Sequence, residues 1–468
     1  MPPPPGSGTD EASSGGASPP RARKAEAWPP PDAVSDHSSA DAEAAPPAPA
    51  GGLAAALAAC GAVALHGDRE AAVEAHARAA IAAGAADDLF YVVDLGLVAR
   101  LHAAWAAAMP RVAVHYAVKS NPDPGMLRVL AALGAGFDCA SEAEIAQVLA
   151  LGVAPERVVY AHPCKPPGQL RWAAACGVDL TTFDSESELR KCAAHAPRAG
   201  LLLRLRADDP AARCPLGPKY GAEAAEVPAL LALAAELGLR VRGVAFHVGS
   251  GAKTAAAFYV AVAAARAVFD AAAALGFRMD VLDIGGGFSA ARGPGGAVGV
   301  AHGVPTAVNA ALDAFFPDDG RVRVIAEPGR YFCELPPSLL TAVHGWRARP
   351  APGGGPGMEY WIADGVYGSM NCILYDSAVL ATPAVVRSPL LPAPAAADER
   401  AVVPSTLFGP TCDSMDVVLR GALLPCLRNG DWLAWHAFGA YTIAGAVNFN
   451  GFSVADPKRL YVFVDEDR

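Results

Sequence analysis

From Phe90 onward the chain alternates between two textures. Short runs rich in β-branched residues lead into Ala/Leu-rich stretches with helical spacing, and the unit recurs at intervals of about 20–40 residues. Eight such runs stand out: Val112–Lys119, Gly136–Ala140, Arg157–Ala161, Asp179–Phe183, Leu201–Leu205, Gly243–Val248, Val281–Ile284 and Arg323–Glu327. Capping boxes mark two of the helix starts, Ser141 with Glu144 and Ser185 with Glu188. Eight strands alternating with helices predict an α/β fold, a (β/α)8 barrel of TIM type over residues 90–332. After Phe332 the runs Glu359–Ile362, Asp431–Trp435 and Leu460–Val464 are separated by Gly/Pro loops, and long helical patterns become scarce. That texture predicts a second, mainly antiparallel β domain over 333–468. Ahead of the barrel, Gly51 to Ala83 reads as an Ala-rich helical stretch, and residues 51–89 are expected to pack with the β domain. Residues 1–50 hold little besides Pro, Ser, Ala and Gly and are expected to be a disordered tail.

Composition narrows the function classes. A chain of 468 residues is too long for one simple core. A net charge of -10 argues against nucleic acid as a partner, because phosphate binding needs a basic face. No apolar run approaches the roughly eighteen residues that span a bilayer, Leu53–Leu65 being the longest candidate, so no membrane partner is expected. The first residues lack the basic-then-apolar layout of a secretory signal, and Asp10, Glu11, Glu26 and Asp32 count against a transit peptide. The ten Cys are scattered without metal-ligand spacing, so no metal is expected and a reducing, cytoplasmic location is.

The working residues of such a barrel sit at the C-terminal ends of its strands. Here those ends hold Lys119, Asp138, His162, Asp184, Arg204, His247, the Gly285-Gly286-Gly287 run, and Glu327 with Arg330. A lysine at a barrel mouth can be desolvated into a Schiff-base former; alone it reads more readily as a solvated strand-end lysine. Three glycines after a strand let backbone N–H groups approach an anion, and Arg330 is a forked donor suited to phosphate. Glu327 could keep a pyridine nitrogen protonated, or simply pair with Arg330. His247, followed by Gly249-Ser250-Gly251, is either a core histidine or a ring free to stack on a flat ligand.

Taken together, these segments resemble the eukaryotic-type ornithine decarboxylases, in the alanine-racemase-like group of pyridoxal-phosphate enzymes. The carriers are Tyr116–Asn121, Gly136–Ser141, the His247 loop, Asp283–Phe288, Glu327–Arg330, Gly409–Asp413 and Asn450-Gly451-Phe452. The resemblance implies pyridoxal 5'-phosphate held by Lys119, with His247 stacked on its ring and Glu327 at the pyridine nitrogen. It implies a phosphate cradle of Ser250, Gly285, Gly286, Gly287, Arg330 and Tyr441, with Asp138, Glu144 and Arg204 nearby and Lys219 on a mobile loop. It implies a homodimer with shared active sites, in which Cys412, the candidate acid, and Asp413 cross the interface. Tyr375, Asp376 and Asp413 would meet the distal ammonium of a small diamino-acid substrate, ornithine before lysine, giving putrescine in polyamine biosynthesis. An antizyme-type regulator is a candidate partner by the same resemblance. The alternatives are another diamino-acid decarboxylase of this fold, a racemase, or a non-catalytic homologue of antizyme-inhibitor type. Ser120 and Val447-Asn448 depart from the family pattern, which bears on substrate preference and rate.

Overall fold

A computed structural model describes residues 52–85, 88–293, 296–351, 354–394 and 401–466; the tail over 1–50 lies outside the described residues. All eight predicted runs form strands: β1 (Val112–Ala117), β2 (Gly136–Cys139), β3 (Val158–Tyr160), β4 (Leu180–Phe183), β5 (Gly200–Leu205), β6 (Arg240–Phe246), β7 (Val281–Asp283) and β8 (Arg323–Ala326). Neighbours run parallel, and β8 closes the barrel on β1 with Val324 opposite Val112 and Ile325 opposite Ala113. Side chains alternate between the two faces of each strand. Val159, Leu180, Leu202, Ala245, Val281 and Ile325 plug the interior. Val114, Tyr116, Phe137, Tyr160 and Phe183 face the helices, each burial stabilising by about 1.5–3 kcal/mol. Gly243 is needed for closure, since a Cβ there would overlap the Val281 carbonyl.

Both predicted caps form only in part. Ser141 Oγ accepts from the Glu144 N–H at 3.3 Å, while Glu144 returns to the Ala140 N–H at 2.6 Å rather than to the cap residue itself. Ser185 accepts from Glu188 at 3.4 Å, but the Glu188 carboxylate turns inward to Lys165 at 2.8 Å.

The second layer is a nine-stranded sheet, mostly antiparallel. Its central path runs Val63–His66, Lys458–Asp465, Leu89–Asp94, Pro337–Ala348, Met358–Ile362, Val402–Phe408, Val417–Pro425. Trp432–Trp435 also pairs with Pro337–Ala348, and Ala384–Val386 with Trp432–Trp435.

Three expectations change. Leu89–Asp94 is a sheet strand, so the barrel does not begin at residue 90. The stretch over 51–83 is not one helix: Val63–His66 interrupts it and pairs in parallel with Lys458–Asp465. The helix Ala255–Ala274 is long and apolar enough to cross a bilayer, so an apolar run of spanning length does exist. It carries Arg266 and Asp270, ion-paired at 2.5 Å, and buries Phe258, Val262, Ala265 and Phe269 against the barrel.

Asp94 ties the two layers together. Fully buried, it caps the helix Leu95–Ala108 by accepting from Leu97 N–H at 3.1 Å and pairs with Arg69 at 3.2 Å. Arg69 in turn donates to the carbonyls of Leu335 and Pro336, at 2.9 and 2.6 Å, where the chain leaves the barrel.

Candidate active site

The strands converge on a pocket of about 330 Å³ at their C-terminal ends. Lys119, Arg204, His247, Ser250, Glu327, Tyr375, Asp376 and Tyr441 all line it. Lys119 sits not in β1 itself but in a single 3-10 turn, Val118–Ser120, directly after it. The turn lifts the side chain out of the strand and into the pocket, where it ion-pairs with the buried Asp138 of β2. Desolvation pulls the ammonium's pKa down, but Asp138, Glu327 and Tyr441 outweigh it, and the net shift is upward. Beside Asp138, Lys119 is therefore held as a cation, and its reactive amine appears only when that charge is relieved.

His247 follows β6. Its Nδ1 accepts from the Gly249 N–H at 3.0 Å, which leaves the proton on Nε2. Burial, then Arg204 and Lys119, push its pKa well down, so the ring is neutral. Gly286 passes flat against it; a Cβ there would come within 2.6 Å of Nε2. Glu327 follows β8, its N–H donating to the Gly285 carbonyl at 2.6 Å. Burial, Asp138 and Asp283 raise its pKa well above the carboxylate range. Asp283 is pushed up to about 7, chiefly by burial.

Arg330 joins several of these groups. It donates to Ser250 Oγ at 2.9 Å, lies 5.2 Å from the centre of the Tyr441 ring, and ion-pairs with Asp376. Tyr441 is held in the left-handed region, φ +56°, by its N–H bond to the Ser120 carbonyl at 2.8 Å. That conformation is costly for an aromatic residue and marks a constrained site. Asp376 also takes Arg213 at 3.3 Å, so two guanidiniums already share this carboxylate.

Cys412 and Asp413 are not among the pocket's lining residues. The Cys412 N–H donates to Asn450 Oδ1 at 3.0 Å with the thiol side exposed, and Asp413 accepts from the Tyr367 hydroxyl. Lys219 lies over the Tyr220 ring at 5.1 Å, Tyr220 itself lining the pocket. Glu144 lies beside Asp138, its pKa raised by burial.

Sequence reasoning gave no role to Asp283, Arg213, Cys214 or Tyr220. Asp283 carried a signal, a charge in a strand whose neighbours are all apolar; the other three come from a loop whose path no local pattern discloses.

Pyridoxal phosphate fits this arrangement. Two buried polar atoms beside the pocket lack a partner, Arg330 Nε, whose guanidinium bonds Ser250 and Asp376, and Asp138 Oδ1, whose other oxygen holds Lys119. The Gly285–Gly287 turn, with φ of +62° and +114° at its ends, is buried and follows a path only glycine allows, since side chains would collide with Phe246, His247 and Gly249. An anion would find a forked donor and a hydroxyl at one end, and a carboxyl at the other.

The comparisons with known proteins agree. Residues 95–334 match the family model described as the pyridoxal binding domain of pyridoxal-dependent decarboxylases, and residues 331–439 match their C-terminal sheet domain. The chloroplastic ornithine decarboxylase of Nicotiana glauca is 47% identical over 369 residues, 78% of this chain and 82% of that protein. The ornithine decarboxylase of Mus musculus is 43% identical over 374 residues, 78% and 79% of the two chains. Among solved structures, the Paramecium bursaria Chlorella virus arginine decarboxylase bound to agmatine superposes with a TM-score of 0.75 at 35% identity, over 84% of this chain and 99% of that one. With both domains matched and the lysine, carboxyl and arginine converging on one barrel mouth, this chain belongs to the pyridoxal-dependent decarboxylases.

Proposed function

We propose that the protein decarboxylates L-ornithine to putrescine, the first step of polyamine biosynthesis, with pyridoxal 5'-phosphate as cofactor. The observation that carries this reading is the pocket that brings Lys119, Glu327, Ser250 and the carboxylate of Asp376 together, with Arg330 bonded to both Ser250 and Asp376 at its edge. The identity to curated ornithine decarboxylases supports the choice of substrate.

Each residue has a task in this reading. Lys119 would supply the amine that holds the cofactor, and Asp138 would balance its charge whenever it stands as a free ammonium. Arg330, Ser250, Tyr441 and the backbone of Gly285–Gly287 hold the phosphate. His247, neutral and fixed by Gly249, would offer its face to the cofactor ring, and Arg204 adds positive charge beside the imidazole. Glu327 holds a proton at the ring nitrogen. The cofactor, when bound, supplies an electron sink for the pair left at Cα as carbon dioxide departs. The partner subunit's Cys412 then delivers a proton to Cα.

At the far end of the substrate, Tyr375 and Asp376 meet the distal ammonium together with the partner subunit's Asp413. A charge-assisted contact of this kind cannot be replaced by an apolar tail. Lysine, one methylene longer, is disfavoured by only about 1–3 kcal/mol. Support for a dimer with shared sites comes from two features. Cys412 and Asp413 stand outside the pocket of their own chain, and apolar side chains are bare in the same segments: Leu374, Tyr375, Val379, Met415 and Phe449. All ten cysteines are free, which suits the reducing cytoplasm.

The test is carbon dioxide release from ornithine, lysine, arginine and diaminopimelate. Ornithine is expected to give the highest kcat/KM; faster turnover of lysine or arginine would overturn the substrate assignment. Lys119→Ala should lower turnover by at least about 10²-fold, and normal turnover in that variant would overturn the assignment of the attachment residue.

A further inference from the structure

The opposite end of the barrel holds a second polar cavity. A TIM barrel is normally filled by layers of inward-facing side chains. Here Ala113 faces inward beside Ile325, and one step up the same strand His115 faces inward beside Gly136. Alanine and glycine leave the lowest layer unfilled between β1 and β2. A cavity of about 330 Å³ opens there, walled by His102, Trp105, Met109 and Val112 and, on its strand side, by three polar groups, His115, Arg157 and Arg323.

None of the three is fully satisfied. His115 is 3% exposed, yet neither ring nitrogen makes a hydrogen bond. The Ala113 carbonyl lies near it without hydrogen-bond geometry. Leaving a buried polar group unpaired costs about 1–3 kcal/mol, so an orphan imidazole calls for a partner. Arg157 spends Nε and Nη2 on the carbonyls of Ala135 and Ala131, at 3.1 and 2.9 Å, and no bond from Nη1 is seen. Arg323 is exposed at the rim and, among the described residues, makes no side-chain hydrogen bond and no ion pair. Its nearest acid, Asp280, is taken by Arg242 through two bonds of 3.0 and 2.6 Å. Asp283 faces up the barrel toward Glu327 and Lys119. On a chain of net charge -10, this mouth gathers two guanidiniums, Arg157 and Arg323, that no carboxylate pairs directly among the described residues, Asp280 and Asp283 acting on Arg323 only at longer range.

We propose that the N-terminal mouth of the barrel binds a small oxyanion, held by Arg323 and Arg157 against the imidazole of His115. Burial and the two guanidiniums keep that ring neutral, its pKa pushed down to about 3. A neutral imidazole offers one donor and one acceptor, which matches an oxyanion that also carries a hydroxyl or a bridging water. The strands run from this site to the pyridoxal pocket, so the two ligands occupy opposite ends of one barrel.

Inorganic phosphate and succinate serve as probes of the two sources of such chemistry, a phosphorylated or a carboxylated ligand. Both are titrated into the cofactor-loaded enzyme, where the phosphate cradle at the other end is already filled. The ring resonances of His115 are followed by NMR together with the thermal midpoint. Saturable shifts are expected with at least one probe, and whichever anion acts identifies the source. Arg323→Gln, a change at an exposed side chain, should weaken binding at least about tenfold, and His115→Phe should abolish the anion's effect on the midpoint. The proposal is overturned if neither probe moves the His115 resonances at ~10 mM. It is equally overturned if Arg323→Gln responds as the wild type does.

Discussion

Three carboxyl groups lie buried at the mouth of one barrel, and each is handled differently. Asp138 is paired with Lys119, Glu327 is driven toward its protonated form by burial, Asp138 and Asp283, and Asp283 is driven the same way by burial and Asp138 against its hydrogen bonds to Gly285 and Glu327. Asp283 has the more direct consequence for stability. Its pKa is about 7 in the folded chain against 3.8 as a free side chain, so the fold favours the protonated form. The stability that this contributes is present below the unfolded value and is lost as pH rises through 7. Asp283→Asn keeps the acceptor for Gly285 N–H, at 2.9 Å, but cannot ionise. The cofactor-free variant should lose less stability than the wild type between about pH 5 and pH 8, measured as the urea midpoint at each pH. Equal slopes in the two proteins would mean that Asp283 is not the group titrating. At this scale the rim residues Lys119, His247, Glu327 and Arg330 were legible because strand-end placement alone puts the first three in the pocket and Arg330 beside its Ser250. Arg213 was not, because it reaches Asp376 from a loop 163 residues away in sequence.

Secondary structure was legible where its pattern is local. All eight barrel strands are runs bounded by helical stretches, and each reappears within a few residues of its expected limits. The strand Val63–His66 escaped for two reasons. It has only four residues inside an alanine-rich stretch, and its pairing partner lies about 400 residues downstream. Asp94 shows what joins such distant pieces. It caps one helix, pairs with Arg69 of another and accepts from Val464 N–H at 3.3 Å. Replacing it strands a buried guanidinium that burial already disfavours. Asp94→Ala should therefore destabilise the chain by about 3–5 kcal/mol in equilibrium denaturation. A cost near that of an ordinary surface change would show that water reaches Arg69.

At the scale of the whole molecule, the proposed dimer makes a quantitative demand. Lys119→Ala and Cys412→Ala chains should each be nearly inactive alone. Mixed and allowed to exchange subunits, half of the dimers are heterodimers, each with one intact site, so activity should return to about a quarter of the wild type. No recovery after exchange is confirmed by mass would show that each chain works alone.

The placement of Lys458–Asp465 between Val63–His66 and Leu89–Asp94 sets a schedule for synthesis. Among the described residues the last strand is wedged between the first two, so those early strands emerge from the ribosome with no neighbour to lie between them. At typical elongation rates the wait is on the order of half a minute. During it the barrel segment can close on local contacts while the sheet stays open along Val92 and Val93. Nascent chains arrested before residue 458 should expose those edges and be captured by chaperones, and release should follow only when the final strand arrives.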